Sequence, residues 1–203
     1  MSSAKGQILR WLGDFVLRES AVRAVTIREP FAEIELDAID GAQPGDKIQI
    51  LLPGNDVRTY TPIAGARTTL LVHLHADTPG PRWARSLREG DRVRFKGPDR
   101  CVRLPEGAVT LIGDATSIAT ALAFNAVARE RVTCLIEGDA PFDGLRTFER
   151  GDYRAIAESV APSSSVVLTG GAALVQGVRA ELRKRSIEPK SKAYWAPGRV
   201  GLD

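Results

Sequence analysis

The eight residues 56–63, DVRTYTPI, decide how the first half of this chain folds. They alternate in a strand-like way and stop at Pro62. Proline has no N–H and biases the residue before it, Thr61, to an extended conformation, so strand pairing ends there. Arg58 and Tyr60 stand two apart and share one face of the strand, at its end. An arginine and a tyrosine in that position need a reason.

The same period of two runs outward on both sides. AVRAVTI (21–27), AEIELDAI (32–39), GDKIQILLPG (45–54), TTLLVHLHA (68–76) and GDRVRFKG (90–97) complete a set of six short strands, with Gly-Asp pairs opening two of them. Six such strands with turn signals between them predict a small antiparallel barrel. Before it, residues 4–17 carry Ile8, Leu9, Leu12, Phe15 and Val16 at helical spacing, which predicts a short amphipathic helix docked on the body.

After about residue 108 the pattern changes. VTLIGD (109–114), VTCLIEGD (132–139) and SVVLTGG (165–171) are continuous apolar runs, each followed by a helical stretch such as TSIATALAFNAVARE or AALVQGVRAELRKR. Apolar strands alternating with helices predict a parallel sheet covered on both faces. The expected division is therefore a β-barrel domain over 1–105 and an α/β domain over 106–203, with RLPEG (103–107) as the hinge.

Composition sets the bounds. The chain has 203 residues, 43% hydrophobic and 26% charged, which is an ordinary globular profile. A net charge of +3 is too small for a nucleic-acid-binding face. Cys101 and Cys134 form neither a disulfide framework nor a metal-spacing motif. No apolar run reaches membrane-spanning length and no signal pattern opens the chain, so the expectation is a reduced, cytoplasmic protein without stable membrane insertion. His73 and His75 lie two apart on one strand, but no third ligand suggests itself, and no metal site is expected.

The candidate binding residues fall at strand ends. The Arg58 fork suits phosphate oxygens and the Tyr60 ring suits a flat π-system, a pairing that fits a flavin dinucleotide, with Thr61 offering a hydroxyl or N–H to the ring. The plain alternative is a solvated β-edge with a surface arginine. Further on, the turn Thr78-Pro79-Gly80-Pro81 leads into a short helix with Arg82 near its start, a candidate pyrophosphate cradle, while Trp83 reads as a core anchor. In an open parallel sheet ligands bind beyond the carboxyl ends of the strands. Gly113-Asp114, Glu137-Gly138-Asp139 and Gly170-Gly171 occupy those ends, and the backbone of Gly170-Gly171 can face a phosphate at a helix start. Tight strand-to-helix turns explain such glycines equally well. GxGxxG is absent.

Taken together, RTYT (58–61), the run from His75 to Ala84 with its Gly-Pro turn and Trp-Ala, GDAT (113–116), TGG (169–171) and AYWAPGR (193–199) resemble the ferredoxin-reductase superfamily. Within it they are most similar to the siderophore-interacting proteins, which are FAD-dependent ferric-siderophore reductases. The chain departs from that pattern at Ala76, Ala115 and Ala119. The resemblance implies a flavin-binding barrel followed by a pyridine-nucleotide domain, with FAD as cofactor and NADH or NADPH as co-substrate. It implies that Arg58, Tyr60, Thr61, His75, Gly80 and Arg82 hold FAD and that Asp114, Thr116, Gly170 and Gly171 line the nucleotide crevice, with no catalytic side chain because the flavin performs the redox chemistry. The implied partner is a ferric siderophore or similar iron chelate, with ferredoxin or free flavin as other acceptors. A non-enzymatic flavin- or nucleotide-binding module is the alternative. Arg183, Lys184, Arg185, Lys190, Lys192 and Arg199 offer a basic face for an anionic chelate, or simply a solvated surface. The acid Glu137 at a strand end favours NADH over NADPH by analogy with dinucleotide folds.

Overall fold

The computed structural model describes residues 17–196. All but the last residue of the amphipathic segment 4–17, and Pro197, Gly198 and Arg199 of the C-terminal motif, lie outside them. Contacts divide the chain into two units, Met1–Cys101 and Val102–Asp203.

The first unit is an antiparallel barrel of six strands: β1 (Arg18–Arg28), β2 (Phe31–Leu36), β3 (Asp46–Leu52), β4 (Asp56–Tyr60), β5 (Thr68–His73) and β6 (Arg92–Arg100). Their order in the sheet is β4-β3-β6-β1-β2-β5, so β4 and β5 are its edges. Just past β4, Ile63 exchanges two backbone hydrogen bonds with Thr69 of β5, at 2.9 and 3.0 Å, and brings the edges together. Period-two patterning fills the interior: Ile48, Ile50 and Leu52 alternate inward on β3, and Ile34 and Leu36 do so on β2. A helix, α1 (Pro79–Ser86), buries Trp83 and Ala84 in the same core. Gly97, at φ +106°, sits where the β3–β6 register shifts, and a Cβ there would lie 2.9 Å from the Lys47 carbonyl oxygen.

The second unit is a five-stranded, fully parallel sheet in the order β11-β10-β7-β8-β9. Its strands are β7 (Val109–Gly113), β8 (Val132–Glu137), β9 (Leu145–Phe148), β10 (Ser165–Gly171) and β11 (Lys190–Trp195). Three helices connect them: α2 (Ile118–Ala128), which follows a single 3₁₀ turn, α3 (Tyr153–Glu158) and α4 (Ala172–Lys184). The central β7 is buried at every position, as its unbroken apolar run requires. The chain leaves β7 toward β8 on one side and returns to β10 on the other, so strand order reverses between β7 and β10. Two edge strands go beyond the sequence expectation. LRTF (145–148) is short and half-exposed, and KSKAYW (190–195) is polar for most of its length. Neither shows an apolar run, because an edge strand needs little burial.

Helices α3 and α4 pack on one face of this sheet through Ile156, Ala157, Leu174, Val175, Val178 and Leu182. Arg185 closes the pair by donating to the carbonyl oxygens of Ala157 and Val160 at the end of α3. Gly177 is the point of closest approach, for a Cβ there would lie 2.2 Å from the Tyr153 ring. Gly177→Ala should therefore destabilise the protein. Alanine's gain of roughly 1 kcal/mol in helix propensity is outweighed by displacement of the ring, for a net loss of roughly 1–2 kcal/mol in chemical denaturation.

Candidate functional site

Two groups of residues stand at strand ends, one in each unit. In the barrel, the β3–β4 register pairs Asp56, Arg58 and Tyr60 with Leu52, Ile50 and Ile48. Opposed residues of antiparallel strands share a face, so Arg58 and Tyr60 lie on the core-facing side of the edge strand. Helix α1 covers that side. Tyr60 stacks on Trp83 with ring centroids 5.9 Å apart, and Trp83 is only 7% exposed. Gly80 comes so close that a Cβ would lie 2.9 Å from the Tyr60 hydroxyl and 3.9 Å from Cγ of Arg58. The structure thus joins three of the sequence-predicted residues, Arg58, Tyr60 and Gly80, in one corner. Burial raises the Tyr60 phenol pKa well above the ordinary tyrosine value, while the nearby Arg58 charge works the other way.

The Arg58 guanidinium is held along its own strand. It contacts both carboxylate oxygens of Asp56, at 3.1 and 3.3 Å, and donates to the Val57 carbonyl at 2.8 Å. Thr61 follows half-buried. Arg82 is exposed and engages Asp77, with 3.0 Å to the carbonyl oxygen and 3.2 Å to the carboxylate. His75 is exposed at the start of the same loop, its Nδ1 3.2 Å from the His73 carbonyl oxygen. Among the described residues, no group of three His, Cys, Asp or Glu side chains is arranged to hold a metal.

In the second unit Asp114 is the hub. Only 9% exposed, its carboxylate accepts four hydrogen bonds: from the Thr116 amide at 2.9 Å, the Thr116 hydroxyl at 2.5 Å, the Gly171 amide at 2.7 Å and the Trp195 indole at 3.2 Å. Asp114, Thr116, Gly170 and Gly171 are thereby brought together at the switch between β7 and β10. The anion that the Gly171 amide meets is the chain's own carboxylate. Gly170, at φ +108°, makes room for it, since a Cβ there would lie 2.8 Å from the Asp114 carboxyl carbon. A Cβ on Gly171 would lie 2.8 Å from the Trp195 ring. Beneath this layer, the buried Ser117 and Thr169 hydroxyls are hydrogen-bonded at 2.9 Å, and Tyr194 reaches Thr120 at 3.2 Å. Sequence reasoning grouped Asp114, Thr116, Gly170 and Gly171 in one crevice but did not name Ser117, Thr120, Thr169, Tyr194 or Trp195 as residues of the site.

The basic face is partly spoken for. Arg183 pairs with Glu188, Lys184 with Glu181, and Arg185 caps α3, while Arg199 lies outside the described residues.

No family model and no curated protein matches this sequence. Solved structures do. A siderophore utilization protein from T. fusca superposes with a TM-score of 0.77 at 20% identity, over 92% of this chain and 95% of that one. Phthalate dioxygenase reductase, described as a modular structure for electron transfer from pyridine nucleotides to a [2Fe–2S] centre, gives 0.73 at 16% identity over 90% and 70%. The siderophore-interacting protein of Aeromonas hydrophila gives 0.69 at 21% identity over 91% and 93%. The chain has the ferredoxin-reductase fold. In this ferredoxin-reductase-like chain, the Arg58 corner belongs to the antiparallel barrel and the Asp114 hub to the parallel sheet.

The two groups yield separate tests. Asp114→Ala strands four donors and should cost roughly 2–4 kcal/mol in denaturation, with a shift in Trp195 emission. For Tyr60, the raised folded pKa means that the unfolded chain ionises first, near the ordinary value of about 10. The stability tied to the protonated phenol is complete below that pH and is lost progressively as pH rises above it toward the higher folded value. Ultraviolet titration should show one of the three tyrosines ionising late, and Tyr60→Phe should abolish that step.

Proposed function

We propose that the protein is an FAD-dependent reductase that takes electrons from NADH or NADPH and delivers them to a ferric siderophore or similar iron chelate. The observation that carries this reading is the corner where Gly80 meets Tyr60 and Arg58. A cation beside an aromatic ring, at a turn where a glycine lets the chain run close to both, fits a ligand with phosphates and a planar ring system. Bound flavin would supply the exchange between a two-electron donor and a one-electron acceptor.

The protein's residues would do the holding. Arg58 would meet phosphate oxygens, sharing its guanidinium between them and Asp56. Tyr60 would pack against the ring or ribityl chain, and Thr61 would face the N5/O4 edge. The turn from Gly80 to Arg82 would take the pyrophosphate, with His75 at its approach. Residues around Asp114, Thr116, Gly170 and Gly171 would form the wall of the nucleotide crevice, with Asp114 holding the others in place. The siderophore-related names among the structural neighbours support the choice of acceptor, while the phthalate dioxygenase reductase keeps a ferredoxin-type acceptor in view.

One observation favours a second reading, a flavin-binding module without turnover: the Gly171 amide and the Trp195 indole are already satisfied by Asp114. Anaerobic spectra of the purified protein, with NADH, NADPH and a ferric chelate added in turn, separate the two. Bleaching of a yellow protein by a nucleotide and recovery on adding the chelate are expected for the reductase. A yellow protein that neither nucleotide bleaches would favour the module, and a colourless protein that takes up no added FAD would reject both. Arg58→Ala should bind FAD about 10- to 100-fold more weakly, since a charged hydrogen bond is lost, with little change in melting temperature.

A further inference from the structure

Arg58 shares its strand face with an acid. Asp56 sits two residues earlier, and alternate residues of a strand point to the same side. The hairpin that joins β3 to β4 fixes that placement. Its loop is Pro53-Gly54-Asn55, with Gly54 at φ +82° and Asn55 at φ +62°, and it sets Asp56 opposite Leu52 and Arg58 opposite Ile50. The carboxylate reaches along the strand to the guanidinium. Its Oδ1 lies 3.1 Å from Nη1 and its Oδ2 lies 3.3 Å from Nη2. It therefore takes the outer edge of the fork, an edge that suits two phosphate oxygens equally well. The two side chains are 33% and 23% exposed, so the pair is partly shielded from water.

This ion pair is not all that holds the arginine. Nη1 also donates to the Val57 carbonyl oxygen at 2.8 Å, and the aliphatic stem lies beside Gly80, where a Cβ would come 3.9 Å from Cγ. Removing the Asp56 charge leaves both of these restraints and frees the outer edge. A carboxylate that only orients Arg58 and one that occupies its donors predict opposite signs for the same substitution.

We propose that Asp56 competes with the flavin phosphates for Arg58, and so limits how tightly this corner holds a phosphorylated flavin. The inference rests on reading the barrel as a flavin-binding domain. A guanidinium has five N–H donors. Asp56 and the Val57 carbonyl engage three of them, which leaves Nε and one hydrogen of Nη2. A phosphate on that remaining edge lies beside the carboxylate, like charge near like charge. A phosphate on the outer edge must displace the carboxylate, which then loses its partner in half-buried surroundings. Both routes weaken binding. Riboflavin carries no phosphate and escapes both costs.

The test is calorimetric titration of FAD, FMN and riboflavin into the full-length protein freed of any bound flavin, which needs no turnover. Asp56→Asn and Asp56→Ala should bind FAD and FMN about three- to tenfold more tightly than wild type does, and riboflavin with unchanged affinity. In an Arg58→Gln background, where there is no guanidinium to compete for, the gain from Asp56→Asn should shrink toward nothing. FAD binding that Asp56→Asn leaves unchanged overturns the inference, and weaker binding overturns it in favour of an orienting role. An equal gain for riboflavin overturns it, as does a full gain in the Arg58→Gln background. In each of those cases wild type still binds flavin, and the flavin-binding reading stands. If no flavin binds wild type or any variant at millimolar concentration, both fall. Partly exposed pairs of this kind contribute little to stability, and an unchanged melting curve identifies the variants that have kept their fold.

Discussion

The Asp114 carboxylate ties together the carboxyl ends of three parallel strands. It follows β7 directly, takes the amide of Gly171 at the end of β10, and takes the indole of Trp195 at the end of β11. A largely buried carboxylate must be satisfied by donors, and here four donors converge on it. The demands of that one group explain several residues around it. Gly170 and Gly171 are bare because the carboxylate and the indole occupy the space their side chains would take. Gly113 is bare because a Cβ there would lie 2.2 Å from Cβ of Ser117, which packs beneath. A strand-order reversal leaves an opening at this end of the sheet. At this end of the sheet the chain places a polar network around Asp114.

The barrel solves a different problem. Its edge strand β4 carries polar residues on its core-facing side, and helix α1 covers them instead of an apolar layer. In that cover Gly80 lies against Tyr60 and Arg58, and Tyr60 stacks on Trp83. Burial raises the Tyr60 phenol pKa, and Asp56 balances the Arg58 charge. Such a corner is polar enough to bind a phosphate and flat enough to pack a ring, while the backbone pairing of Ile63 with Thr69 holds the edges of the sheet together around it. The functional reading and the fold thus draw on the same few residues.

The charged surface illustrates why a residue's type alone does not assign it a role. Of the basic residues near the C-terminus, Arg183 and Lys184 are paired with glutamates on the surface and Arg185 caps a helix. Exposed pairs of this kind contribute little to stability, but they remove charge from any steering field. Arg150, just past β9, is exposed and has no ion pair among the described residues.

Sequence by itself determined the change from period-two strands to unbroken apolar strands near residue 108, and with it the antiparallel and parallel halves. Both are local properties, set by which faces of a strand are buried. It also determined that Arg58 and Tyr60 share a face, since that follows from strand geometry alone. What it left open was everything that depends on a distant partner. The half-exposed edge strands β9 and β11 have no apolar signature, because an edge is completed by its neighbour. Asp114 finds Gly171 and Trp195 across 57 and 81 residues, so the glycine pair read locally as a phosphate turn while its amide was already bonded. That one oxygen of Glu137 accepts the amide of Gly151, fourteen residues on, is likewise seen only in the fold. Hydrogen bonds between remote segments are decided by how the layers pack, and only the tertiary structure supplies that.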